Sequence, residues 1–287
     1  MFHFFVTFIE LCKLNWRRFM HTGVFLAKKK DGTIYYRSSF THKSKHISLG
    51  SYATEELAHK AYTEATNIIN STNQLLITDY NKKKRFLSFE KWVVLVNLKD
   101  NGIYFKTPIY LHPKYFEYYL DNDPFAPLKF DADDLFFYST HKIMRRGGHL
   151  FVADYGMQIN ILNRYGIKNF AVPGKDYIFV NGDNTDYRYQ NIKIINRYTG
   201  VTTQETSNNQ TIYIAKIHIN GDHIIGRYSN EKEAAIAYNK AADILKNNGF
   251  TINFQTNYIE AMNGDEYTEI YNTVKISKKL NDLRPTK

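Results

Sequence analysis

The sequence predicts an α+β protein built from small modules, and three observations carry that prediction. The chain contains an internal repeat, each copy follows a strand–hairpin–strand–helix pattern, and the composition is that of a globular protein. With 287 residues, 43% hydrophobic and 16% aromatic, it is long enough for two or three compact units with real cores. The expected architecture is two small three-stranded-sheet-plus-helix modules flanking a central region.

Taken in chain order, residues 1–19 form an apolar segment that begins MFHFFVTFIELC. Its apolar run is short of the roughly 20 residues a membrane span needs, and Glu10 precedes Lys13, Arg17 and Arg18, the reverse of a secretory signal. A buried first helix, a targeting segment, or extra residues ahead of Met20 as the initiator all fit it. The single cysteine, Cys12, excludes an intrachain disulfide and a four-cysteine zinc site, which favours an intracellular, reducing setting with the compartment open and an organelle allowed.

The repeat defines the next element and its partner near the C-terminus. Thr22-Gly23-Val24 stands 177 positions before Thr199-Gly200-Val201, and Tyr36, Ser38 and Phe40 match Tyr213, Ala215 and Ile217 at the same spacing. From there the spacing is 176: Gly50-Ser51-Tyr52 matches Gly226-Arg227-Tyr228, and Ala58, Ala61, Tyr62, Ala65 and Ile68 match Ala234, Ala237, Tyr238, Ala241 and Ile244. The turn between strands is therefore one residue shorter in the second copy. Within it, Tyr213, Ala215 and Ile217 alternate with Ile214, Lys216 and His218, giving a strand with one buried face and one mostly polar face. Asn220-Gly221 tolerates the positive φ of a hairpin. The run Ser229-Asn230-Glu231-Lys232-Glu233 supplies a helix cap with acidic residues in the first turn, the alanines lie on one helical face, and Asn248-Gly249 is a stop.

The order Gly-Val, Tyr-x-Ala-x-Ile, Asn-Gly, Gly-Arg-Tyr, EKEAAIAYNKAA and Ile252-Asn253-Phe254 resembles the Apetala/ERF DNA-binding domain, closely in copy two and loosely in copy one. The resemblance implies that each sheet enters a major groove while its helix supports it from behind. It places Arg37, Ser39 and Thr41 of copy one, and Thr202, Gln204, Lys216 and His218 of copy two, at groove-facing positions. The plant domains use several arginines and tryptophans there, a pattern from which this chain departs, so a weak or different base specificity is expected. A net charge of +10 and an isoelectric point near 9.3 suit a polyanionic partner, although basicity also serves solubility or a membrane surface.

Between the repeats, Gly147-Gly148-His149 leads into alternating Leu150 to Asp154, and Ile159 to Tyr165 suits a strand or short helix. The run from Val180-Asn181-Gly182-Asp183 through Asp186, Arg188 and Asn191 to Lys193 resembles the HNH (ββα-metal) nuclease motif. That family uses an Asp-His pair before the turn, histidine as general base, and an Asn on the following helix. Here the pair falls on Ile178-Phe179, which neither binds a metal nor accepts a proton. Asn191 remains, with backbone capping as its expected job. Asp176, with His141 or His149 as base, is the alternative source of the missing groups. The motif thus implies a degenerate ββα scaffold: Asp186 and Arg188 as an ion pair or phosphate contact, Ile192 and Ile194 in the core, and Arg188, Lys193 and Arg197 toward DNA. No catalytic residue and no cofactor are assigned, and Mg²⁺ enters only if the nuclease is active.

Elsewhere, Asn81 to Arg85 (NKKKR) is a basic cluster suited to phosphate or to a solvated linker. Trp92-Val93-Val94-Leu95-Val96 reads as a strand, Asp121 to Asp134 as an acidic, proline-containing loop, and Asp265 to Leu283 as one helix before a short basic tail. No phosphate-binding glycine loop, ordered Ser-His-Asp set or Cys-His zinc spacing is present. The divisions are 1–19, the apolar segment; 20–75, module one; 76–140, a linker with accessory strands; 141–197, the HNH-like region; 198–256, module two; and 257–287, the helix and tail.

The function these readings imply is double-stranded DNA binding by a descendant of an HNH homing endonuclease, without a small-molecule substrate. The alternatives are an active divergent HNH endonuclease, and a structural subunit of a ribonucleoprotein or membrane-bound complex whose basic surface meets RNA or other subunits.

Overall fold

The computed structural model describes residues 20–285; the apolar segment 1–19 and the last two residues of the basic tail lie outside the described residues. The class is α+β, with short helices and small antiparallel sheets. Two compact units form. The first runs to Met144 and adds Val152–Gly156 and Thr185–Arg188; the second comprises Arg145–Phe151, Met157–Asn184 and everything from Tyr189. Among the described residues no helix is long and apolar enough to cross a membrane.

In the first unit, β1 (Val24–Lys28), β2 (Ile34–His42) and β3 (Lys45–Tyr52) form an antiparallel meander backed by α1 (Glu55–Asn70). Thr54 caps α1 by accepting from the Leu57 N–H, and Ala58, Ala61, Ala65 and Ile68 are its buried stripe. Alanine at three of those four positions lets the helix axis approach the sheet. In the second unit, β12 (Val201–Glu205), β13 (Thr211–His218) and β14 (Asp222–Tyr228) pair in the same order before α4 (Glu231–Asn247). Asn230 caps α4 through the Lys232 N–H, and the helix ends at Asn248 with Gly249 at φ +99°.

The repeat extends to its irregularities. Pairing shifts between Ser38 and Ser39 in β2, and between the matching Ala215 and Lys216 in β13. Each bulge leaves one residue of the third strand, Leu49 or Ile225, outside the ladder, and both are buried in their module's core. The one-residue difference between copies lies in the hairpin. Four residues separate the paired Thr41 and His46, whereas Ile219, Asn220 and Gly221 alone separate His218 and Asp222. Asn220 and Gly221 adopt φ of +51° and +140°, as the hairpin requires.

The WVVLV run is helical, not a strand: it lies within α2 (Phe89–Asn101). Ser88 caps the start by accepting from the Lys91 N–H, and Gly102 at φ +71° ends it. Residues Trp92 to Leu98 are all buried, so the helix has no polar face and its sequence lacks the 3.6-residue signature. The predicted acidic loop is half structured: β4 (Ile109–Leu111), β5 (Tyr115–Tyr118) and β6 (Leu128–Asp131) form a sheet, because Leu128 and Phe130 alternate inward. Phe130 then packs among Phe116, Tyr138 and Tyr187, with ring centroids 4.4–5.5 Å away. Tyr138 belongs to α3 (Leu135–Thr140).

A meander of β7 (Ile143–Arg146), β8 (His149–Asp154) and β9 (Met157–Asn160) follows, then a 3₁₀ turn over Ile161–Tyr165. The ββα expectation for 141–197 is corrected. β10 (Tyr177–Phe179) pairs with β11 (Ile192–Ile194), but no α-helix follows, and Asn191 ends a single 3₁₀ turn, Tyr189–Asn191, ahead of the second strand. Only six residues separate Ile194 from β12, too few for a connecting helix. The C-terminal helix is also two: α5 (Gly264–Thr273) and α6 (Lys278–Asn281). Between them, Ser277 N–H donates to the Ile225 carbonyl and Tyr228 Oη donates to that of Lys275, tertiary bonds that replace those of a continuous helix.

Candidate nucleic-acid interface

Strand pairing decides which side chains share the sheet face turned away from each helix. Val24, Ser38 and Gly50 lie in one rung, as Val201, Ala215 and Gly226 do, and the buried Val24, Ser38, Val201 and Ala215 face the helix. The neighbouring rung must therefore point outward. In module one that rung is Phe25, Arg37 and Ser51, followed past the bulge by Ser39 with Ser48 and Thr41 with His46. In module two it is Thr202, Ile214 and Arg227, with Gln204 opposite Ile212, Lys216 opposite Ile224, and His218 opposite Asp222. The residues expected to face a groove thus fall on the outer face of their own sheet.

Their availability differs. Arg37 is exposed; its Nη2 donates to Tyr35 Oη at 2.9 Å and the guanidinium lies 5.6 Å from that ring's centroid, which orients the group without neutralising it. Thr41 and Gln204 are exposed, and Thr202 and Lys216 half-buried. Ser39, at the bulge, is only 6% exposed, so its hydroxyl is less open than a flat strand would leave it. His218 Nδ1 lies 3.0 Å from Asp222 Oδ1, and that hydrogen bond holds the Asp222 carboxyl below its ordinary range. Three isoleucines have register positions on this side of module two, of which Ile224 is 46% exposed, Ile212 half-buried and Ile214 buried at 9%.

Arg227 is a cation on this face that the sequence reading did not select. Its signal was present in Gly226-Arg227-Tyr228: a glycine facing the helix requires the next side chain to face outward.

The remaining expected contacts are dispersed. Arg188 belongs to the first unit, where Nε and Nη2 grip Asp186 at 2.8 and 2.6 Å and the guanidinium lies 5.4 Å from the Tyr115 ring centroid. The ion pair suggested by the sequence is thus present, buried on its carboxylate side, with the Asp186 side chain 1% and the Arg188 side chain 27% exposed. Lys193 is exposed on β11 opposite Ile178, and Arg197 is exposed while its backbone N–H donates to Glu231.

The nuclease-like positions do not form a metal centre. Ile178 and Phe179 lie in β10, paired with Lys193 and Ile192. Both isoleucines of β11 are only half-buried, which corrects their expected place in the core. Asn191 is 4% exposed: Oδ1 accepts from the Asn181 N–H at 2.8 Å and Nδ2 donates to the Asp183 carbonyl at 3.3 Å, so it staples the intervening turn. Asp176 is also buried; it accepts from the Val172 N–H at 2.8 Å and pairs with Lys168 at 3.0 Å. Burial opposes its ionisation, yet these bonds prevail and hold its carboxyl below the usual value. His141 lies 3.5 Å from Asp154, and His149 is exposed. Among the described residues no group of three or more His, Cys, Asp or Glu is placed to hold a metal ion, and the apolar pair does not fit Mg²⁺.

Asn196, not anticipated from sequence, explains what the hairpin does. Its Nδ2 donates to the Lys175 carbonyl and its Oδ1 accepts from the Thr203 N–H, both at 2.8 Å, tying the β10 end to β12. The hairpin is a bracket for module two.

The molecule therefore belongs to the class of α+β proteins with a duplicated sheet-and-helix module presenting two outer sheet faces. No family model matches the sequence, and neither a curated protein nor a solved structure matches it significantly.

Proposed function

We propose that this protein binds double-stranded DNA through the outer faces of its two sheets and does not cleave it, the β10–β11 hairpin being an HNH-like element kept as a structural bracket. The observation that supports this most is the shared bulge and register. In both modules they turn a short row of hydrogen-bonding and basic side chains away from the helix: Arg37 and Thr41 in one, Thr202, Gln204, Lys216 and Arg227 in the other. Such rows have the chemistry for base edges and phosphates, and the net charge of +10 supplies the counterion-release drive.

A second reading has its own support. Ile212 and Ile224 make the face of module two partly apolar, and His218 is engaged by Asp222, features that also suit a structural subunit docked against protein or RNA. The test is selection of the purified protein on a randomised duplex library at two salt concentrations, with Mg²⁺ in a parallel arm. Selective enrichment without cutting supports the binding reading. Metal-dependent nicking would establish the nuclease alternative, and the absence of both would favour the structural subunit.

A further inference from the structure

The first module carries an open cavity of about 430 Å³ on the flank of α1, walled on one side by the end of the NKKKR segment. Lys60, Thr63 and Asn67 line it from α1, Lys84 and Arg85 from the segment, and Phe86 from the position just after it. Glu64, at its wall, is already committed: it pairs with Arg85 at 3.3 Å and accepts from the backbone N–H groups of Phe86 and Leu87 at 2.7 and 3.2 Å. Arg85 in turn lies 4.3 Å from the centroid of Trp92. Lys60 and Lys84 have no carboxylate partner among the described residues, so the cavity retains net positive charge. Trp92, also lining it, is fully buried with an Nε1–H that finds no hydrogen-bond acceptor among them. A flat ring stands beside these donors, for Phe86 is 41% exposed with the Lys60 ammonium 5.3 Å from its centroid.

The repeat provides an internal control. On the flank of α4 the positions of Thr63 and Asn67 are taken by Asn239 and Asp243, and a cavity of about 440 Å³ opens there too. No lysine or arginine lines it, and Asp243 accepts from Tyr271 Oη at 2.8 Å. The fold thus creates a hollow in both copies, and what sets the first apart is its cations: the second also has an exposed ring, Tyr258, but no lysine or arginine in its lining.

We propose that the cavity of the first module binds a nucleotide, its phosphate held by Lys60 and Lys84 and its base stacked on Phe86. The nucleotide is either free or the phosphorylated end of a single strand, and the site is independent of the outer sheet faces. Calorimetric titration of the full chain tests it, using adenosine 5′-monophosphate, inorganic phosphate, adenosine and a 5′-phosphorylated tetradeoxyadenylate as probes. The expected result is saturable binding of the monophosphate or the oligonucleotide about tenfold or more tighter than phosphate or adenosine alone. The tighter of the first two identifies the source. The double variant Lys60→Gln/Lys84→Gln, at two exposed positions, should weaken binding about tenfold, and Phe86→Leu should abolish the preference over inorganic phosphate while circular dichroism shows the fold intact. Absence of saturable binding to either nucleotide probe, or equal affinity in wild type and the folded double variant, would overturn the proposal.

Discussion

Gly200 lies directly beneath the ring of Tyr238. A Cβ at Gly200 would overlap that ring and come within 2.5 Å of the Lys216 carbonyl oxygen, and the residue's φ is +73°. Its counterpart Gly23, at φ +78°, meets Tyr62 in the same way. In both copies the glycine carbonyl then accepts from the residue after the bulge, Lys216 N–H at 2.7 Å and Ser39 N–H at 2.9 Å. Gly200→Ala should therefore destabilise the protein by about 2–4 kcal/mol, left-handed strain and overpacking acting together. Chemical denaturation checks this; a loss below 1 kcal/mol would mean that the contact relaxes freely.

The two bulges aim Leu49 and Ile225 into separate cores. Leu49→Ala and Ile225→Ala should each cost about 2–4 kcal/mol by lost burial and a residual cavity. Because the two side chains belong to separate core clusters, the double variant should show additive losses, readable in the same denaturation experiment.

On the DNA-binding reading, Arg37→Ala and Lys216→Ala should each reduce duplex affinity by about 1–3 kcal/mol and flatten its salt dependence. Arg188→Ala should behave oppositely: it strips the counterion from buried Asp186, costs about 3 kcal/mol of stability and leaves duplex affinity of the folded protein nearly unchanged. Gel-shift and thermal-melting measurements on the three variants separate these effects. A binding defect in Arg188→Ala equal to that in Arg37→Ala would return Arg188 to the interface.

Asn191→Ala should lower stability by about 1–3 kcal/mol, because the Asn181 N–H loses its acceptor in a closed turn. If its role is only structural, duplex affinity should persist in the folded variant.

Asp176 gives a pH dependence of defined sign. Its carboxyl is held below the ordinary value of 3.8, so the folded state binds that proton more weakly than the unfolded state. The stabilisation is complete above that value and is lost as pH falls through the lower, folded-state one. Wild type should thus lose stability faster than Asp176→Asn as pH falls below the ordinary carboxylate value. Acid-denaturation curves of equal steepness would remove Asp176 as the cause.

The duplicated module was legible in the sequence at high detail. Alternation along β13, the Asn220-Gly221 hairpin, the Asn230 cap and the alanine face of α4 are local signals, set by covalent geometry and by neighbours a few residues away. Even the one-residue change of spacing between copies located the shorter hairpin. The same alternation put Lys216 and His218 on the polar face, where the family resemblance put Arg37, and would have put Arg227 there.

What required the tertiary structure was every choice between local solutions of similar merit. Trp92 to Val96 suits a strand by propensity, but burial on all sides and caps at Ser88 and Gly102 make it a helix. Arg188 suited an ion pair or a phosphate until the fold closed Asp186 and Tyr115 around it. Asp176 stood as an alternative source of the missing carboxylate until Val172 and Lys168 bound it, whereas Asn191 caps backbone groups of the turn as its sequence position suggested. The sequence by itself determined the modules, because backbone conformation and side-chain alternation are short-range properties. Only the tertiary structure decided which polar groups are spent on the protein and which remain for a partner, because hydrogen bonds and ion pairs are completed by residues far apart in the chain.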